Sequence, residues 1–181
     1  GLEDGTDVGP VISCDARDRI GDWIQKAVDE GAEIVLDGRS PEADPEGSYV
    51  GPTILDNVKP TDSIITNEVF GPVLAIVNVD TLEEAIEMVN ASPFGNGVSI
   101  FTESASAVRK FNHDVEVGMV GVNIGVAAPV AFFPFSGWKK SFFGDLHAHG
   151  PDSIEFFTRK KTVTSRFFSG GDEHGSYFVE H

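Results

Sequence analysis

Residues 67–73 read Asn67-Glu68-Val69-Phe70-Gly71-Pro72-Val73 and lie between two β-rich runs. Glu68 and Phe70 point the same way if the segment is extended. Gly71-Pro72 then forces a turn and excludes a helix. A carboxylate, which only accepts hydrogen bonds, beside a flat apolar ring suits a ribose hydroxyl and a planar ring. The segment is a candidate ligand site, and the alternative is a buried Phe70 with Glu68 ion-paired or solvated.

The residues around this segment alternate between strand patterns and helix patterns. Ser13 can cap a helix over about 15–30, whose predicted buried stripe is Ile20, Trp23, Ile24, Ala27 and Val28. Thr81, with Glu84 in a capping box, and Ser104 begin two more helices, and 151–157 predicts a short one. Strands are predicted at 33–37, 49–58, 73–79, 98–101 and 117–124. This alternation predicts an α/β fold, a largely parallel sheet with flanking helices, with ligands beyond the carboxyl ends of the strands.

The composition is acidic, with 29 Asp and Glu against 13 Lys and Arg and a net charge of −16. Such a charge repels nucleic acid and anionic membranes, so we expect neither as a partner. A solvated surface and an adaptation to high salt both remain open as its cause. Forty per cent of the residues are hydrophobic, which argues against disorder. No targeting or membrane-spanning run is seen, and a cytoplasmic protein is the expectation.

Residues 67–73 resemble the signature of the aldehyde dehydrogenase superfamily. Other motifs follow in family order: Gly5-Thr6-Asp7-Val8-Gly9-Pro10, Gly51-Pro52-Thr53-Ile54, Asn90 through Gly95, Gly118 to Asn123 and Pro134-Phe135-Ser136-Gly137. The run from Phe132 to His147, with Phe132-Phe133-Pro134-Phe135-Ser136-Gly137-Trp138, is similar to the CoA-acylating methylmalonate-semialdehyde dehydrogenases. The likeness extends from about Gly5 to Phe167, which is nearly the whole chain.

The resemblance implies that the cofactor is NAD and that this chain holds only part of the enzyme. Glu68 would hold the nicotinamide ribose of NAD, and Phe70 would pack near the nicotinamide. The nucleophilic Cys would lie upstream of Gly1, and CoA would be the co-substrate. Residues 1–157 would then be the C-terminal portion of the catalytic domain, followed by an oligomerisation strand at 158–167 and a polar tail at 168–181. The chain alone would be inactive.

The resemblance also places the loop from Ile124 to Phe135 beside the substrate pocket. Its apolar, uncharged composition suits a small semialdehyde, with Asn123 and Phe135 as candidate pocket residues. The alternative is an ordinary hydrophobic plug, with Asn123 satisfying backbone groups.

Neither the single cysteine nor the histidine pair at 147 and 149 predicts a catalytic or metal site. Cys14 is the only cysteine, and without an electropositive setting we expect it to be incidental. His147 and His149 lack a ligand cluster at metal spacing, so we expect no metal site.

The segment from Thr162 to Phe167 alternates like a strand with two unlike faces. Nothing after it is suited to pair with it. The resemblance implies that it joins the sheet of a neighbouring subunit, which predicts a homo-oligomer, a dimer or a tetramer.

The sequence favours part of an NAD-dependent, CoA-acylating methylmalonate- or malonate-semialdehyde dehydrogenase. Two alternatives remain: another NAD(P)-dependent semialdehyde dehydrogenase that hydrolyses its thioester, and a non-catalytic interaction domain.

Overall fold

The computed structural model describes residues 4–167, which form two compact units. The first consists of residues 4–127 with 137–142, and the second of 128–136 with 143–167. No change of composition indicated this division. The tail at 168–181, expected to fray, lies outside the described residues.

The secondary structure is mixed α/β, which confirms the predicted class. In chain order the first unit contains α1 (Cys14–Asp29), β1 (Glu33–Leu36), β2 (Thr53–Asp56), α2 (Ser63–Thr66), β3 (Val73–Ala75), α3 (Leu82–Ala91), β4 (Phe94–Gly95), β5 (Gly97–Ile100), α4 (Ala105–Asp114), β6 (Met119–Val122) and β7 (Trp138–Lys139). The second unit contains α5 (Asp152–Phe157). Among the helices described for residues 4–167, none has the length and apolar character needed to span a membrane.

Within residues 4–167, the strands form three small sheets. Parallel pairing, as predicted, joins β2 to β3 and β5 to β6. Antiparallel pairing joins β1 to β2 and the two-residue strands β4 and β7. The β1–β2 register shifts at Val35, because Ile34 lies opposite Leu55 whereas Leu36 lies opposite Ile54.

Three helices begin at the predicted caps. The hydroxyl of Ser13 accepts from the Ala16 amide at 3.1 Å, that of Thr81 from the Glu84 amide at 3.2 Å and that of Ser104 from the Ala107 amide at 3.2 Å. The Glu84 carboxylate accepts a hydrogen bond from the amide of Asp80 at 2.9 Å, instead of from the amide of Thr81. The predicted capping box is therefore present with its return bond one residue earlier.

Two hydrophobic clusters fill the first unit. Helix α1 buries Ile20, Ile24 and Ala27 completely, and leaves Trp23 and Val28 half-buried. This cluster is completed by Ala32, Val50, Leu55, Val58 and Ile64. The other cluster, Ile86, Phe111, Val115 and Val117, includes residues of α3 and α4 and packs against the half-buried Val98 and Ile100 of β5.

The strands are shorter than the β-rich runs predicted. Of 49–58 only Thr53–Asp56 is a strand, and of 73–79 only Val73–Ala75. A strand ends where its pairing with a neighbouring strand ends, and the apolar pattern of the sequence does not show where that pairing stops. The predicted strand within 158–167 is not assigned in this single chain, where every one of those residues is exposed.

The second unit is built around α5 and a close approach of backbone at Gly150. A Cβ at Gly150 would lie 2.7 Å from the carbonyl carbon of Phe133 and from the nitrogen of Pro134, and its φ is +66°. Both facts require glycine there. His147 Nδ1 lies 3.2 Å from a carboxylate oxygen of Asp152, in the first turn of α5.

Candidate functional site

The segment 67–73 connects α2 to β3 and turns two of its side chains outward. Glu68 is exposed, and 81% of Phe70 is exposed. Val69, between them, is half-buried against the cluster beneath α1. The alternative in which Phe70 is buried as a structural residue is therefore wrong for this chain.

The placement of Glu68 and Phe70 on one face required an extended backbone. The backbone at Phe70 is not extended. Its φ is +53°, in the left-handed region. For a residue with a Cβ this conformation costs about 1–2 kcal/mol. Such strain persists only where neighbouring contacts determine the backbone, and it recurs at ligand-binding loops.

Contacts from α1 hold the backbone on both sides of Phe70. Nη1 of Arg19 donates to the carbonyl oxygen of Val69 at 2.8 Å. Ile20, which is completely buried, lies beneath Gly71, where a Cβ would come within 2.6 Å of Cδ1 of Ile20. Helix α1 thus fixes the carbonyl before Phe70 and leaves no room for a side chain after it.

The N-terminal side of the segment is tied to the same helix through Ser63. The Glu30 carboxylate, just beyond the end of α1, accepts from the amide of Ser63 at 2.9 Å and from its hydroxyl at 2.8 Å. These bonds lower the pKa of Glu30 below its ordinary value, the backbone bond contributing most. Nδ2 of Asn67 donates to the Ser63 carbonyl at 2.9 Å. Both ends of the candidate site are therefore anchored.

The residues present fit a nicotinamide nucleotide. The exposed Glu68 carboxylate has acceptor lone pairs that vicinal ribose hydroxyls can use. The exposed ring of Phe70 offers the flat apolar surface that a nicotinamide ring packs against. Both side chains are exposed on one anchored turn, which is compatible with contact to adjoining parts of one ligand.

Asn123 closes the end of the β5–β6 sheet. It has a left-handed φ of +55°, and its side chain accepts from the Thr102 amide at 2.9 Å and donates to the Thr102 carbonyl at 3.1 Å. Its amide therefore satisfies backbone groups, one of the two tasks considered for it. Phe135 belongs to the second unit, where it is 41% exposed and its ring centroid lies 6.4 Å from that of His149. As pocket residues both stay predictions.

Cys14 is exposed in the first turn of α1. Its sulfur lies 3.8 Å from the carbonyl oxygen of Glu46, a group that cannot take up the thiol proton at neutral pH. Within residues 4–167, no group of three or more His, Cys, Asp or Glu side chains is arranged to hold a metal ion.

Arg19 and Glu30 were missed by the sequence analysis, because each acts on residues more than thirty positions away. The one available signal was the position of Arg19 beside the buried stripe, which directs its side chain along the flank of α1. That signal does not identify a partner fifty residues later.

Residues 1–163 match the aldehyde dehydrogenase family. The chain is 52% identical over 167 residues to malonate-semialdehyde dehydrogenase of Bacillus subtilis (strain 168), covering 92% of this chain and 34% of that protein. The solved methylmalonate-semialdehyde dehydrogenase of Oceanimonas doudoroffii superposes with a TM-score of 0.86 at 44% identity, covering 93% of this chain and 35% of that one.

A Sinorhizobium meliloti 1021 structure, assigned to the same activity and complexed with NAD, has a TM-score of 0.85 at 42% identity, covering 91% of this chain and 34% of that one. The chain therefore spans about a third of the length of the relatives it matches. With a family match over nearly all of its residues, this chain belongs to the aldehyde dehydrogenase family.

Proposed function

We propose that this chain is part of an NAD-dependent, CoA-acylating dehydrogenase that oxidises malonate semialdehyde or methylmalonate semialdehyde. The names of its relatives support this substrate class, and the NAD in the Sinorhizobium structure supports the cofactor. The structural observation that carries the proposal is the outward-facing pair of Glu68 and Phe70 on a turn anchored by α1.

In the proposed reaction, a cysteine thiolate outside this chain attacks the aldehyde carbon. The attack gives a thiohemiacetal, and loss of its hydride, for which NAD when bound would supply the acceptor, gives a thioester. The acyl group then passes to the CoA thiol, which releases the cysteine, and the substrate carboxylate leaves as CO2. The share of this chain is binding and orientation: the Glu68 carboxylate accepts from the ribose hydroxyls, and the Phe70 ring packs beside the nicotinamide.

The semialdehyde would meet the apolar residues between Ile124 and Phe135. Phe132 and Phe133 are 69% and 55% exposed, and their ring centroids lie 4.8 Å apart. Exposed aromatic surface of this kind suits the aliphatic part of a small substrate. As substrate-pocket residues, Asn123 and Phe135 are proposed separately, Asn123 in the first unit and Phe135 in the second.

The dependence on CoA tests the reaction. Full-length enzyme containing this sequence is mixed with NAD and either semialdehyde, with and without CoA, and NADH is followed by absorbance. We expect turnover that requires CoA and yields an acyl-CoA. The purified 181-residue chain serves as the blank and is expected to be inactive, since its one cysteine is Cys14. Equal turnover without CoA, with a free acid as product, would instead identify a hydrolysing semialdehyde dehydrogenase.

Substitution of Glu68 by Gln tests the cofactor site. Because the neutral amide forms weaker bonds to ribose hydroxyls than a carboxylate does, we expect kcat/KM for NAD to fall about tenfold to a hundredfold. Steady-state kinetics with varied NAD measure this. Glu87→Gln, at an exposed position of α3, is the matched control and should keep its NAD kinetics. Unchanged NAD kinetics in Glu68→Gln would return this residue to a solvated surface role.

A further inference from the structure

We propose that Arg19 is a positioning residue for the cofactor site: its guanidinium holds the Val69 carbonyl and so fixes the backbone from which Glu68 and Phe70 project. This inference rests on the proposed function, because it assigns Glu68 and Phe70 to NAD. It adds a residue of α1 that the motif at 67–73 does not contain.

The first support is the place of the contact. The Val69 carbonyl lies between the two side chains of the site, and Nη1 of Arg19 reaches it at 2.8 Å. The dihedral angles that flank this peptide, ψ of Val69 and φ of Phe70, set how the backbone bearing Glu68 is oriented relative to Phe70. A charge-assisted hydrogen bond at this carbonyl therefore opposes the motion that would separate the two groups.

The second support is the strained residue beside the contact. Phe70 holds a φ of +53°, a conformation that a residue with a side chain adopts only when its surroundings require it. Arg19 restrains the peptide before it, and buried Ile20 packs beneath Gly71 after it. Two consecutive residues of α1 thus supply the restraints on both sides. Ile20 shapes the turn by packing, whereas Arg19 is the part that can be removed without opening the core.

Arg17 provides a matched control on the same helix. Its Nη1 donates to the carbonyls of Pro45 at 3.2 Å and Gly47 at 2.8 Å, so it also ties a loop to α1 by backbone carbonyls. That loop contains none of the proposed cofactor contacts. Arg17→Met removes backbone-carbonyl contacts of the same kind, together with an ion pair between Nε of Arg17 and Asp18 at 2.8 Å, and only Arg19→Met touches the site.

The experiment uses full-length enzyme and the variants Arg19→Met, Arg19→Lys, Arg17→Met and Glu68→Gln. For Arg19→Met we expect the KM for NAD to rise about threefold to tenfold, while the KM for the semialdehyde stays within about twofold. Arg19→Lys keeps one charged donor and should recover part of the loss. Arg17→Met should keep the KM for NAD within about twofold. Urea unfolding of each variant shows whether the two methionine variants lose similar stability.

Three results would overturn the inference, and the first two separate its failure from that of the proposed function. If Glu68→Gln weakens NAD kinetics but Arg19→Met behaves like Arg17→Met, then Arg19 only stabilises the fold. If Glu68→Gln leaves NAD kinetics unchanged, the cofactor assignment itself fails and the role of Arg19 fails with it. A rise in both KM values of Arg19→Met, in proportion to its lost stability, also contradicts a positioning role.

Discussion

Replacement of Ile24 by Ala is expected to lower the free energy of unfolding of this chain by about 2–5 kcal/mol. Ile24 lies in the middle of α1, and none of its surface is exposed. It belongs to the cluster that joins α1 to Leu55 of β2 and Ile64 of α2. Removing three carbons there loses the free energy gained by burying them. It also leaves a cavity that the neighbouring helices and strand fill only in part.

Urea unfolding followed by far-UV circular dichroism measures this change. Ile12→Ala is the matched control, since it removes the same atoms from a side chain that is 96% exposed. That variant should differ from the parent by less than about 0.5 kcal/mol. Equal losses in the two variants would mean that the α1 cluster does not hold the first unit together. Tryptophan fluorescence reports on α1 through Trp23 and on β7 through Trp138.

Removal of residues 158–181 is expected to dissociate the full-length enzyme, which we propose is at least a dimer. Residues 158–167 are exposed throughout, including Val163 at 71% and Phe167 at 93%. An extended segment with open hydrogen-bonding groups joins a sheet elsewhere or promotes aggregation. Two copies that exchange the same segment would form a closed two-fold contact. Light scattering on the truncated enzyme measures the change in mass.

A shorter truncation separates the segment from the tail. An enzyme that ends at Phe167 keeps 158–167 without the tail and should keep the oligomer mass of the parent. An unaltered mass after the longer truncation would mean that 158–167 folds onto its own subunit. Loss of the oligomer in both variants would assign the contact to the tail instead.

Local signals in the sequence were sufficient to predict α1, α3 and α4, whereas the four-residue α2 was not predicted. Ser13, Thr81 and Ser104 each supply a hydroxyl at the first free amides, and each caps the predicted helix. Ile20, Ile24 and Ala27 recur at helical spacing and are buried as predicted. Caps and stripes depend on residues within one or two turns, so a single sequence contains the needed information.

The strands and the geometry of the site depend on residues far apart in the chain. The antiparallel pairing of β1 with β2 was not expected from the alternation of strand and helix. Phe70 has a left-handed backbone, and the Val69 carbonyl before it accepts from Arg19, fifty residues earlier. Residue spacing identified Glu68 and Phe70 as candidates, but it carried no information on the contacts that set their directions.

The irregular register of β1 has a consequence for the behaviour of this chain at high concentration. β1 is an outer strand of its sheet, and Val35 and Leu36 there are 63% and 47% exposed. A straight outer strand with apolar side chains is a template on which other molecules can assemble into aggregates. The register shifts at Val35, and an extra residue of this kind generally bends a strand and interrupts its regular row of hydrogen-bonding groups. We therefore expect the shift in register to disfavour the joining of neighbouring molecules edge to edge.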